Sequence, residues 1–281
     1  MMEFKVLKLA TETKNPHLLG LRCAYQQNKS ICFVTYPWCE FDLSVFLDNS
    51  NGMKFWVELT PKSKLILITD WMACLASGLS ALHKNNIKHQ NLKPENVLLC
   101  TVGASMMPVI CDFGLSKGIE ADSESVEFQD YRAYFPPEQY ISKFGRKGDV
   151  FSMGLIFIEV GLLMLGQSTL KHQIPSGVYI DIVKDLNGFL IANFPCLGGT
   201  STSNSWCTSF QKLLTNMLNE VPANRPRASQ VFDQLREIVT SLGAAPHCEI
   251  TSPCVLDPDL EEENDDIEIV LKDNFLSMIS E

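Results

Sequence analysis

The sequence predicts an α+β chain, with a small β-rich N-terminal part leading into a larger, mainly helical part. Three features predict it: two β-prone runs early in the chain, apolar residues at helical spacing from residue 61 onward, and a shift to acidic, proline-containing composition near the C-terminus. Residues 1–60 read as strand-rich. Leu18 to Tyr25 and Ile31 to Tyr36 are short β-prone runs separated by the polar Gln26-Gln27-Asn28-Lys29-Ser30, which is the pattern of a hairpin. Residues 61–242 read as mainly helical. Ile68, Met72, Leu75, Leu79 and Leu82 recur every three or four positions, so they form one stripe along a long helix that delivers the polar segment starting at His89. The apolar run from Met153 to Gly166 contains Glu159 and is too short to cross a bilayer, and it reads as a buried helix. Beyond Gly243, three prolines and the run Glu261-Glu262-Glu263-Asn264-Asp265-Asp266 predict an exposed, flexible tail over 243–281.

Composition limits the function classes. A chain of 281 residues with 46% hydrophobic content can bury a large core, which excludes disordered and fibrous classes. The net charge of −10 resides in the tail: from Glu249 to Glu281 there are eleven acidic residues and one Lys, and the remaining 22 acidic and 22 basic residues cancel. A neutral body with an acidic tail argues against a nucleic-acid partner, and no segment reads as a membrane anchor. Ten Cys without a C-x-x-C pair, lying mostly in apolar stretches, predict reduced thiols that pack as small hydrophobes, hence an intracellular protein of the cytoplasm or nucleus. Ile267, Ile269, Val270, Leu271, Phe275 and Leu276 give the tail more apolar character than solubility requires, so a protein partner docking through it is expected.

The chemistry-bearing residues form short motifs in a fixed order. His89-Gln90-Asn91-Leu92-Lys93-Pro94-Glu95-Asn96 is followed, after an apolar stretch, by Asp112-Phe113-Gly114. Pro136-Pro137-Glu138, Asp149-Val150-Phe151-Ser152-Met153-Gly154 and Asn224-Arg225-Pro226 come later, while Asn15-Pro16-His17 and the segment Ile31 to Trp38 come earlier. Together these resemble the landmarks of the eukaryotic protein kinase family over residues 3–240, with Lys93 giving the loop its serine/threonine-kinase form. The resemblance implies a protein-kinase-like domain over 1–242, with a truncated small lobe (1–36) and a mainly helical large lobe (37–242). It also implies site residues: Asn91 at the catalytic Asp position, Lys93 near the γ-phosphate, and Asn96 and Asp112 as metal ligands. Thr35 (gatekeeper), Tyr36, Trp38, Leu98 and Cys111 would lie around the nucleotide, with Pro37 removing one hinge N–H. His89, Phe113, Glu138, Asp149 and Arg225 would be structural, Glu138 pairing with Arg225 and Asp149 holding the catalytic loop.

The departures from the family pattern bear on activity. Phosphoryl transfer rests on positioning, charge neutralisation and a base near the nucleophile. Asn91 has nearly the shape of Asp but is no base at physiological pH. Gln90 replaces the Arg that pairs with a phosphorylated activation loop, and Tyr131 stands where serine/threonine kinases place a Thr. These 281 residues contain no G-x-G-x-x-G, and Glu3 has no strand-three Lys as a partner. The expected cofactors are ATP and Mg²⁺, bound weakly. Blander readings stand beside these: His89 as a packing histidine, Cys111 as an inert buried thiol, Asn96 and Asp112 as loop caps. Three functions remain open: a pseudokinase acting as a binding or scaffold module, a slow serine/threonine kinase using Asn91 only to position the hydroxyl, or an N-terminally incomplete kinase chain.

Overall fold

The structure is a computed structural model; it describes residues 2–27, 30–103, 105–113, 132–140, 145–173, 179–194, 201–244 and 269–270. The chain opens with a helix rather than a strand. Helix α1 (Met2–Glu12) buries Val6, Leu7 and Ala10, spaced to share one face, against the hairpin of β1 (Gly20–Gln27) and β2 (Ser30–Tyr36). Phe4 stacks on Phe33 with centroids 6.0 Å apart, and Thr11 Oγ1 accepts the Leu21 N–H at 2.8 Å, tying helix to strand. The hairpin is antiparallel from Gly20 opposite Tyr36 to Gln27 opposite Ser30, with an irregularity between Leu21 and Cys23.

The expectation of a strand-rich first sixty residues therefore needs correction. Besides α1, the helices α2 (Leu43–Asn49) and α3 (Lys54–Val57) fall there, and the strands among the described residues are β1, β2 and the two-residue β3 (Phe41–Asp42). The reason is local. Asp42 caps α2 by accepting the Val45 N–H at 3.0 Å, and α2 then buries Leu43, Phe46 and Leu47 at helical spacing.

The long helix predicted from the apolar stripe is α4 (Pro61–Lys84). Thr60 caps it by accepting the Ser63 N–H at 3.1 Å, and Pro61 occupies a first-turn position where its missing N–H costs nothing. Ile68, Met72, Leu75, Leu79 and Leu82 are all buried, but so are Thr69, Trp71, Ala73, Cys74 and Ala76, so α4 is enclosed on more than one face. It has the length and apolarity to cross a membrane, and 78% of that stretch is buried inside the fold. Gly78 permits the close approach of the 15–18 turn: a Cβ there would lie 2.9 Å from the His17 carbonyl oxygen.

The region after α4 also contains a second hairpin that a mainly helical reading omits. It consists of β4 (Val97–Val102) and β5 (Ser105–Ile110), joined to β3 in the order β3-β4-β5. Ile110 N–H donates to His17 O at 2.8 Å and Leu19 N–H donates to Ile110 O at 2.9 Å, so this hairpin is bonded to the chain entering β1. Helix α5 (Arg146–Met164), which contains most of the Met153–Gly166 run, is buried from Gly148 to Leu162. The shorter α6 (Leu170–Gln173), α7 (Ile180–Lys184) and α8 (Leu186–Asn193) lead to α9 (Ser201–Met217) and α10 (Ala228–Ser241), which complete the helical part. Trp206 on α9 donates to the buried Thr69 hydroxyl on α4 at 3.0 Å, and Val231, Leu235 and Ile238 on α10 join the same core.

The segment 243–281 was expected to be an exposed tail. At Ile269–Val270 the structure differs: these residues form β6, pairing in parallel with Ala24 and Tyr25 at the outer edge of β1. An uncovered strand edge offers unsatisfied backbone groups, and two β-branched residues are well suited to pair there. The prolines and the acidic run lie outside the described residues, as do Gly114, Tyr131 and the cysteines at 196, 248 and 254.

Candidate active site

The site is assembled where three elements end. At the C-terminus of α4 the chain reverses: Asn86 adopts φ 59° and the Ile87 N–H reaches back to Leu82 O at 3.0 Å, directing residues 87–96 beneath the first turn of α5. Asp149, in that turn, is fully buried. Its Oδ2 accepts the His89 N–H at 3.0 Å and its Oδ1 the Gln90 N–H at 2.8 Å, while His83 Nε2 lies 2.8 Å from Oδ2. One carboxylate thus fixes the loop backbone, and Gln90 sits at φ 63° as a result of that bend.

His89 is also fully buried, its ring 5.7 Å from that of Phe113. The Asn91 N–H donates to its Nδ1 at 3.2 Å, so Nδ1 is an acceptor and Nε2 carries the hydrogen given to Cys111 O at 2.9 Å. Burial pushes its pKa down, which holds the ring neutral. His89 therefore acts as a strut between the loop and the end of β5.

The two candidate metal positions and the catalytic position form one network. Asn96 Nδ2 donates to Asn91 O at 2.7 Å, and the Cys111 N–H donates to Asn96 O at 3.0 Å. Asn91 is 7% exposed, and its Nδ2 donates to Asp112 Oδ2 at 2.8 Å. Because a carboxylate only accepts, this bond fixes which end of the amide faces Asp112. Asp112 adopts φ 61°, which aims its side chain back at Asn91. Cys111 is buried, which pushes its thiol up to about 12.

Asn96 and Asp112 carry the oxygen donors a divalent cation would take, and one of those oxygens is already engaged. Mg²⁺ takes oxygen ligands in near-octahedral geometry, usually with at least one carboxylate. Here the Asn96 amide and the Asp112 carboxylate would hold it together with water and substrate phosphates, and Asp112 Oδ2 is already bonded to Asn91.

The residues expected around the nucleotide are only partly brought together. Leu98 and Cys39 pack with Cys100, Met107 and Val109 under the connection between β2 and β3. Thr35 is exposed and Trp38 is 78% exposed, so neither is enclosed by the fold. β2 is a sheet edge among the described residues, so Thr35 has a strand neighbour on one side only. Tyr36 instead lies over Gly20 on β1, where any Cβ would meet its ring at 2.5 Å. Lys93 is half-buried just before the short 3₁₀ turn Pro94–Asn96.

Away from the loop, Arg225 and Glu138 form a two-pronged ion pair at 2.6 and 2.8 Å. The guanidinium is fully buried, lies over the Phe151 ring at 4.8 Å, and spends its remaining donors on the carbonyls of Asn219, Glu220 and Lys147. Lys147 in turn donates to Arg225 O. Sequence reasoning missed His83 and the Tyr134–Glu159 bond of 2.9 Å. No motif marks either one, because each pairs residues from separate elements.

Comparison with known proteins gives a consistent picture. The protein kinase domain family model matches residues 1–235. The serine/threonine-protein kinase crk1 of Schizosaccharomyces pombe is 28% identical over 207 residues, covering 63% of this chain and 58% of that one. The cGMP-dependent protein kinase egl-4 of Caenorhabditis elegans is 31% identical over 134 residues, 47% of this chain and 16% of that one. Cyclin-dependent kinase-like 4 of Mus musculus is 29% identical over 170 residues, 59% and 44% respectively. The chain thus matches somewhat over half the length of the first of these relatives and less of the other two.

Proposed function

This chain belongs to the protein kinase domain family, and from that premise we propose that it is a pseudokinase, an intracellular binding or scaffold module without significant phosphotransfer. The observation that carries this reading is the 2.8 Å bond from the Asn91 amide to Asp112 Oδ2. In an active kinase the two positions are carboxylates, one serving as base and the other holding Mg²⁺. Here the first cannot accept a proton, and it donates a hydrogen to the second, giving Asp112 a partner that a cation would have to replace. Loss of a general base alone lowers rate by about 10² to 10⁴. The same bond engages one oxygen of Asp112, which adds a positioning defect. Protein partners are the natural ligands of such a module, with the acidic tail as one docking element.

A second reading, a slow serine/threonine kinase using ATP and Mg²⁺, is favoured by the presence of Lys93, Asn96 and Asp112 in their family order. Thermal-shift titration with ATP and MgCl₂ separates the two. The pseudokinase reading expects no saturable shift at micromolar nucleotide, whereas binding at 100 times Kd would stabilise the fold by about 2.7 kcal/mol. A saturating shift that needs both ATP and Mg²⁺ would favour the slow enzyme.

A further inference from the structure

Between β2 and β3 the chain runs through Pro37-Trp38-Cys39-Glu40, and it is fastened to β4 at one end by Glu40 N–H to Leu99 O at 3.0 Å and by Phe41 opposite Leu99. Just beside that bond, Cys39 packs onto the small cluster of Cys100, Met107 and Val109. Both are free thiols; Cys100 is 1% exposed, whereas Cys39 is half-buried and brings the pair to the surface. Neither takes part in the loop network around Asp149 and Asn91. We propose that Cys39 and Cys100 are an oxidation site, at which hydrogen peroxide converts the two thiols to a disulfide that clamps the connection between the lobes onto β4.

The chemistry follows from the contact. The neighbouring thiols shift each other in opposite directions, Cys100 down and Cys39 up, so Cys100 is the one favoured as thiolate. The Cys100 thiolate attacks one peroxide oxygen, the O–O bond breaks, and hydroxide leaves, giving a sulfenic acid. Cys39 then attacks the sulfenyl sulfur, the S–S bond forms and water is released. Overall, two thiols and one H₂O₂ give one disulfide and two waters, the sulfurs losing two electrons and the peroxide gaining them. Cys39 S–H also lies 3.6 Å from Pro37 O, an interaction it gives up in the disulfide. In a reducing compartment such a bond forms transiently and is reversed by thiol exchange, which suits a regulatory modification. The proposal does not depend on whether the chain transfers phosphate.

The test is peptide mapping of the full chain under non-reducing conditions, after reduction, desalting, a peroxide titration and alkylation. The expected result is a peptide linking Cys39 to Cys100, with two thiols lost per cross-link, a rise in Tm relative to the reduced protein, and full reversal by dithiothreitol. Cys39→Ser and Cys100→Ser should each abolish both the cross-link and the Tm rise, while Cys23→Ser retains them. The wild-type map does not depend on the variants folding. Oxidation that proceeds without a Cys39–Cys100 peptide would overturn the proposal, as would a dominant link from Cys39 to Cys111 or between Cys23 and Cys32 on the β1–β2 hairpin.

Discussion

At Asn91 a single atom separates an amide from a carboxylate, and the consequence falls on Asp112. With Asp at position 91, two carboxylates would stand within hydrogen-bond distance of each other unless a proton or a cation separated them. Asn91→Asp should therefore lower stability by about 1–2 kcal/mol in metal-free buffer and recover it in millimolar Mg²⁺, whereas the wild type should respond little to Mg²⁺. Chemical denaturation with and without MgCl₂ reads this directly; equal Mg²⁺ responses in both proteins would mean the amide is not standing in for a cation. Glu159 makes a separate case. It is 2% exposed, accepts the Tyr134 hydroxyl at 2.9 Å and the Leu170 N–H at 2.8 Å, and burial pushes its carboxyl up to about 7 from an ordinary 4.5. Between those pH values the folded state holds a proton that the unfolded chain has released, so stability present at pH 4.5 declines as pH rises to about 7, by at most about 3 kcal/mol. Glu159→Gln should flatten this slope. An unchanged slope would assign the pH dependence to other groups.

At the level of elements, the fold depends on junctions between helices and loops more than on any one helix. The Arg225 side chain joins the segment after β5, through Glu138, to the start of α5 and the turn before α10, and every one of its donors is used. Removing one partner of a buried ion pair strands the other charge and costs about 3–5 kcal/mol. Arg225→Ala should lower the unfolding midpoint accordingly, and an unaltered midpoint in urea would mean that the pair contributes little. Much of this level was legible in the sequence. The β1–β2 hairpin follows from two short apolar runs around a polar turn, and α4 from its apolar stripe. What the sequence hid were elements whose local signals are mixed. Helix α1 carries Phe4 and Val6 among its helix-forming residues, and β4–β5 is a compact hairpin inside a stretch dominated by helices. The candidate site was legible as a roster of residues, because its motifs are short and contiguous. Their mutual bonding was not, since the Asn91–Asp112 contact spans 21 residues and depends on Asp112 taking φ 61°.

For the whole molecule, the central claim is that a protein kinase fold is kept while its catalytic centre is closed by a neutral amide. The helical part is built around α5 and α4, and its loop-holding carboxylate Asp149 is fully buried, so the scaffold of the site persists whatever its chemistry. Phosphotransfer itself is the most direct measurement. The wild-type protein, incubated with radiolabelled ATP, MgCl₂ and a generic basic protein substrate, should give incorporation no greater than an Asp112→Ala control. Incorporation that requires Mg²⁺, rises with time and is abolished by Asp112→Ala would contradict the account and make the chain a working kinase.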